Sequence, residues 1–306
     1  MSLSITTNPL LCDPEKGVCE IPGAEETPFL SNVPAQETPI KIVYFTDPIC
    51  SSCWGIEPQL RRLELEYGHL VTIQYHMGGL LPKWEGFNGG GINKPSDVAQ
   101  HWDEVSQHYQ MPIDGDVWLE DPLSSSYPPS IAYKAAQMQD EHKAALFLRK
   151  IREMVFLEKK NITEWEHLSA AAKQSGLDVE QFKTDYEGAA PQRFRDDLAL
   201  AKALGVRGFP TLFVSNQASQ QQLIYGFRPY SVFEQTLLAL YPAAVKKPIQ
   251  RDFESLFAHF PTLTTREFAE LSGQSNTEAS AALSNFYNIG KLRKYTTKNG
   301  DLWIRP

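Results

Sequence analysis

Two cysteines three positions apart, in Cys50-Ser51-Ser52-Cys53, are the residues of this chain best suited to chemistry. At that spacing both thiols lie on one helical turn and can close a small disulfide. A thiolate attacks a disulfide sulfur, so such a pair can exchange electrons with a second dithiol. The helix N-terminus supplies unpaired N–H groups and the positive end of a dipole, which predicts a lowered pKa for Cys50. On this reading Cys50 attacks. Cys53, one turn on and more buried, resolves the mixed disulfide. A zinc half-site and a pair of inert thiols are the other readings of the two cysteines. The second Cys-x-x-Cys that would favour zinc is missing from the sequence.

The remaining cysteines, Cys12 and Cys19, have six residues between them, in a proline-flanked stretch. Three readings stay open: a second, regulatory or shuttling redox pair, a four-cysteine metal site with Cys50 and Cys53, or two free thiols. Glu57 is either a proton-handling group near Cys53 or a helix-surface or capping carboxylate. His69, His76, His101 and His108 lack ligand spacing, so no metal site is assigned. His101 and His108 read as surface residues. His76 ends a strand and either shapes a groove or packs in the core. The glycine-rich stretch 80–94 lacks the Lys-Ser/Thr of a phosphate cradle.

These thiols need a frame. Residues 40–46 are rich in Ile, Val, Tyr and Phe and read as a buried strand ended by Asp47-Pro48. Residues 51–67 carry Ile56, Leu60 and Leu63 at helical spacing, with a kink expected at Pro58. A second strand is predicted over Leu70–His76. Residues 95–190 read as mostly helical, with an apolar stripe from Ala144 to Val155 and a capping box at Thr163–Glu166. A loop through Phe209-Pro210 leads into a strand. Another strand follows near Gln222–Gly226, and then a helix over Tyr230–Tyr241. Pro242–Pro248 reads as a linker. Beyond it come a helix around Phe253–Phe260, capping boxes at Thr264–Glu267 and Ser275–Glu278, and a hairpin turning at Asn299-Gly300. Three helices and a hairpin describe a winged-helix-like unit.

The run from Asp47 to Pro58, with its Cys-Ser-Ser-Cys-Trp order followed by Glu57-Pro58, resembles the active-site segment of DsbA-like thioredoxin-fold proteins. That order resembles the branch that includes cytoplasmic FrnE-like oxidoreductases and Spx-type protease adaptors. Gly205-Val206-Arg207-Gly208-Phe209-Pro210-Thr211 resembles the cis-proline loop of that family. The resemblance covers about residues 40–241 and implies an α/β thioredoxin-like fold with an all-helical insertion. It implies that Phe209 and Pro210 bind substrate beside Cys50, the Phe209 backbone taking up an extended peptide as an added strand. The Ser-Ser dipeptide lacks the His of strongly oxidising members. Three parts follow: a tail over 1–39 carrying Cys12 and Cys19, a DsbA-like domain over 40–245 with its insertion at about 95–190, and a winged-helix-like module over 246–306.

Hydrophobic residues make up 42% and charged residues 22% of the 306, with a net charge of −8. That balance speaks against a nucleic-acid or anionic-membrane surface covering the molecule. Residues 249–306 hold seven basic and six acidic side chains, too even for a dedicated nucleic-acid module. No apolar run reaches membrane-spanning length, and residues 1–19 lack a signal-peptide pattern. The expectation is a cytoplasmic thiol–disulfide oxidoreductase or isomerase acting on protein or peptide thiols. It needs no cofactor beyond its own disulfide, with glutathione or a thioredoxin-type protein as the candidate reductant. The alternative is a non-catalytic, redox-sensitive adaptor for a regulatory protein client. A weaker third reading, a glutathione-dependent isomerase of the related kappa-transferase branch, is opposed by Cys50, since that branch commonly has Ser there.

Overall fold

The computed structural model describes residues 17–20, 38–85, 92 and 94–306. Cys12 and the glycines Gly86, Gly89, Gly90 and Gly91 lie outside them. A two-residue strand, β1 (Cys19–Glu20), comes first. It was not expected, because nothing in that proline-rich stretch reads as a strand. β2 (Ile40–Thr46) is buried at every position, as a strand covered on both faces must be. The sequence predicts one kinked helix next; the structure has two, α1 (Ser51–Gly55) and α2 (Glu57–Tyr67), meeting at Ile56. Pro58 lies in the first turn of α2, where its missing N–H leaves no bond unmade. β3 (Val71–Met77) runs parallel to β2.

Seven helices follow among the described residues: α3 (Ser96–Tyr109), α4 (Val117–Glu120), α5 (Tyr127–Gln139), α6 (Glu141–Phe156), α7 (Trp165–Gln174), α8 (Val179–Glu187) and α9 (Ala190–Ala203). The Thr163–Glu166 capping box does not form. Glu164 is the N-cap of α7 and makes no side-chain cap bond, while Asn161 Oδ1 accepts from both the Thr163 N–H and its hydroxyl. The chain returns through β4 (Gly208–Phe209), β5 (Thr211–Asn216) and β6 (Gln221–Tyr225) to α10 (Tyr230–Leu240). The main sheet has the order β3-β2-β5-β6, with β5 antiparallel to both neighbours. One face packs Ile42, Tyr44 and Leu212 on Leu60 of α2 and Phe233 of α10. The other packs Val43 and Phe45 toward the helical insertion, in a core that also holds Trp54, Trp102 and Phe156.

Residues 242–248 have no regular structure, as expected of a linker, but they are not loose. The Lys247 N–H donates to the Glu66 carbonyl (2.8 Å) and Lys246 Nζ lies 3.0 Å from Glu66 Oε2. The last unit runs α11 (Phe253–His259), β7 (Thr262–Thr264), α12 (Thr265–Ser272), α13 (Asn276–Asn288), β8 (Arg293–Thr297) and β9 (Gly300–Ile304). Both expected capping boxes, at Thr264 and Ser275, are present. β7 is an addition, giving a three-stranded sheet of order β7-β9-β8. Phe253, Leu256, Phe257, Leu263, Phe268 and Leu283 form a separate core here. Each such burial is worth about 1.5–3 kcal/mol, so the unit has a core of its own. It is also bolted to the rest of the chain. α12 packs on α2, and the buried Glu267 carboxylate accepts from Arg149 (2.7 and 3.1 Å) and faces Arg61 (3.2 Å). Burial alone would raise this carboxyl; the two arginines outweigh it and hold it below the usual range.

Candidate active site

Asp47-Pro48-Ile49 turns the chain from β2 into α1. The Asp47 carboxylate accepts from the N–H groups of Ile49 (3.0 Å) and Leu80 (2.8 Å) and from the Ser126 hydroxyl (2.9 Å). Burial nevertheless pushes this carboxyl up to about 6. The turn delivers Cys50 to the N-cap of α1, where its sulfur accepts from the Cys53 N–H at 3.2 Å. Both thiols are free and wholly buried. Cys53 is thus no deeper than Cys50, contrary to the expectation that it would be the more buried of the two. The pKa expectation is corrected as well. Burial pushes the Cys50 thiol up, and the neighbouring Cys53 adds to this, against the opposing Cys53 N–H bond. Burial acts on Cys53 in the same direction. There the hydrogen bond from Cys50, the Arg152 charge and the Thr46 and Tyr44 hydroxyls outweigh it, and the thiol is lowered.

Arg152, on α6, has no place in a reading of the motif alone. It is 1% exposed and donates to Glu57 Oε1 (2.6 Å), Thr46 Oγ1 (2.6 Å) and the Asp47 carbonyl (3.3 Å). Thr46 in turn donates to the Tyr44 hydroxyl (3.2 Å). Glu57 is therefore the partner of a buried guanidinium rather than a free surface carboxylate. Trp54, next to Cys53, donates through Nε1 to the Pro112 carbonyl (3.0 Å), and the Arg149 guanidinium sits 4.4 Å above its ring. Gly55 lets Tyr109 come close: a Cβ there would stand 2.7 Å from the Tyr109 ring. The Tyr109 hydroxyl pairs with Ser52 Oγ at 2.8 Å.

The Phe209–Pro210 peptide bond is cis, and Phe209 is fully buried. Gly78 makes room for its ring, since a Cβ at Gly78 would stand 1.7 Å from Phe209 Cζ. β1 lies antiparallel to β4, with Cys19 opposite Phe209 and Glu20 opposite Gly208. Val18 and Cys19 are fully buried, and Cys19 Sγ lies 3.3 Å from Cys50 Sγ and 3.5 Å from Ser52 Oγ. Cys19 is disulfide-bonded, which removes it from the free-thiol and metal-ligand alternatives. Of the residues singled out in the sequence, Cys19, Cys50, Cys53, Phe209 and Pro210 come together here. Cys12 lies outside the described residues. His76 is elsewhere, its Nδ1 2.7 Å from Asp197 Oδ1, and His101 is buried rather than on the surface.

A free dithiol at a helix N-cap beside a cis-proline loop, on a sheet of order β3-β2-β5-β6, defines a dithiol protein of thioredoxin-like fold. The family described as Thioredoxin matches residues 44–235. The chain belongs to the DsbA-like thioredoxin-fold family, in the branch of the Spx adaptors. It is 31% identical to the ClpXP adapter protein SpxH of Halalkalibacterium halodurans, over 95% of this chain and 96% of that one. Against the protein of the same name from Bacillus subtilis it is 29% identical over 87% and 89% of the two chains. Among solved structures, the cytosolic disulfide reductase DsbM of Pseudomonas aeruginosa is similar at a TM-score of 0.53 and 26% identity, covering 65% of this chain and 99% of that one.

Proposed function

We propose that the protein is a cytoplasmic, redox-responsive adaptor that holds a regulatory protein client for a ClpXP-type protease. In this reading the Cys50–Cys53 dithiol is its sensor. One observation carries it: both thiols are wholly buried, with the chain's own β1 along the strand edge a substrate peptide would use. A catalyst turning over protein disulfides needs that edge open; a sensor does not. The near full-length similarity to proteins named ClpXP adapters supports the same reading. We read the last unit, from its order of helices and strands, as a winged-helix-like module, and its even charge balance suits a protein contact better than nucleic acid.

The test is a reconstituted degradation assay with ClpXP and an Spx-type client. Added protein should accelerate loss of the client, and Cys50→Ser/Cys53→Ser should retain that acceleration under reducing conditions. No acceleration by the wild type would sink the adaptor reading. A second reading, a disulfide oxidoreductase or isomerase drawing electrons from glutathione or a thioredoxin-type reductant, is favoured by Cys50 at the N-cap and by the likeness to DsbM. It gains if the protein catalyses reduction of insulin disulfides and Cys50→Ser abolishes this.

A further inference from the structure

We propose that residues 17–20 are a tethered substrate of the Cys50–Cys53 dithiol, and that the disulfide on Cys19 exchanges with that dithiol within one molecule. The proposal rests on the redox-sensor reading and says what the sensor reads: the state of the disulfide on Cys19.

Three observations carry it. The first is the separation of the two sulfurs. Cys50 Sγ and Cys19 Sγ are 3.3 Å apart, inside the roughly 3–3.5 Å of a near-attack arrangement. The second is register. Cys19 is paired with Phe209, the residue before Pro210. β1 therefore adds to β4 as an extended peptide adds to a sheet edge, with its cysteine at the nucleophile. The third is that the turn leading into β1 is built to hold it there. Gly17 has φ +65°, and its carbonyl accepts from the Phe227 N–H (2.6 Å). A Cβ on Gly17 would stand 2.4 Å from Phe227 Cβ, so only glycine fits.

The exchange balances within the chain. The Cys50 thiolate attacks Cys19 Sγ, a Cys50–Cys19 bond forms, and the existing disulfide of Cys19 breaks. The electron pair leaves on the other sulfur. The leaving group is the thiolate of the cysteine bonded to Cys19. It takes up the proton that Cys50 gave up. The Cys53 thiolate then attacks Cys50 Sγ, and Cys19 leaves and is protonated. The Ser52 hydroxyl, 3.5 Å from Cys19 Sγ and paired with Tyr109, is placed to donate to that departing sulfur. Cys50–Cys53 ends oxidised and the disulfide of Cys19 reduced, two electrons having moved. No outside oxidant or reductant enters.

Trypsin makes this readable, because it cuts after Lys16, Lys41 and Arg61 and puts Cys12, Cys19 and the Cys50/Cys53 pair on separate peptides, 1–16, 17–41 and 42–61. Full-length Cys53→Ser, prepared with the Cys19 disulfide intact, is quenched with an alkylating agent and mapped without reduction. The expected product links 17–41 to 42–61 and forms at a rate independent of protein concentration. A map in which 17–41 gains no link to 42–61, or a link whose rate scales with protein concentration, overturns the proposal. A second variant, Gly17→Val, unseats the segment by clashing with Phe227. In fully reduced protein, alkylation of Cys50 should then quicken at least roughly tenfold, the factor that 1.4 kcal/mol of lost docking gives. An unchanged rate overturns the docking. The degradation assay above needs neither outcome, so the two readings fail separately.

Discussion

Arg152→Met is the most informative single substitution at this site. It removes a charge that is 1% exposed and three hydrogen bonds, to Glu57, Thr46 and the Asp47 carbonyl. Breaking a buried ion pair by deleting one partner costs about 3–5 kcal/mol. Two features move the expectation to the lower end. Arg149 Nη1 lies 4.0 Å from Glu57 and retains part of its compensation. The Arg152 Nε is buried without a hydrogen-bond partner among the described residues, so the native pair is itself imperfect. A loss of about 3 kcal/mol is expected, which at a urea dependence of about 3 kcal/mol/M lowers the unfolding midpoint by about 1 M. Tryptophan fluorescence reads that midpoint. A second readout separates chemistry from stability. The Arg152 charge favours the Cys53 thiolate, so its removal raises that thiol, and a Cys50–glutathione mixed disulfide should be resolved more slowly. Arg152→Lys should recover part of the resolution rate but little of the stability, since an ammonium cannot span all three partners. A midpoint shift below about 0.3 M, together with an unchanged resolution rate, would refute the assignment of Arg152 as the buried counter-charge of the dithiol.

Asp47 gives a pH signature. Its folded-state carboxyl, at about 6 against an ordinary 3.8, holds its proton more tightly folded than unfolded. Stability therefore falls as pH rises from about 4 to 6, by roughly 3 kcal/mol from this group, and Asp47→Asn should remove that slope from stability curves measured across the window. Glu267 has the opposite sign: its carboxyl is held low, so its contribution is present above the unfolded value of about 4.3 and is lost in acid. Glu267→Gln should cost about 3 kcal/mol at pH 7 and flatten the acid limb of the same curves. Gly78→Ala drives a methyl group into the Phe209 ring. It should cost about 1–3 kcal/mol by overpacking, read by thermal melting, and should speed Cys50 alkylation by displacing β4.

Much of this frame was legible because its signals are local. The apolar run 40–46, the cysteine pair after Asp47-Pro48, and the boxes at Thr264 and Ser275 each depend on neighbours within a few residues. The failures are where a distant partner decides. β1 is two residues in an acidic, proline-rich stretch, and its pairing partner lies about 190 residues away, so no periodicity could announce it. Arg152 follows Ile151 on a helix whose apolar stripe was plain. A lone arginine beside such a stripe reads as solvated until Glu57 is found 95 positions away against it. The lowered pKa expected for Cys50 considered only the helix it caps. Burial, with Cys19 from 31 positions earlier set against its sulfur, reversed it. At Thr163 the pattern was outmatched, because Asn161 took the Thr163 N–H that the Glu166 side chain would have accepted from and engaged the Thr163 hydroxyl as a donor.

The pairing of β1 with β4 is only two residues long on each strand, yet being tethered it would bar most free peptides from that edge. A segment tethered this way competes for the sheet edge at an effective concentration of order millimolar. A free peptide of equal intrinsic affinity at about 1 µM would then hold the edge in roughly one molecule in a thousand. Only a ligand that binds the edge far more tightly, or that also engages another face of the molecule, gets past this filter. Casual cysteine peptides do not. Because the internal competitor contributes so few contacts, a modest change in its own chemistry is enough to reset the threshold.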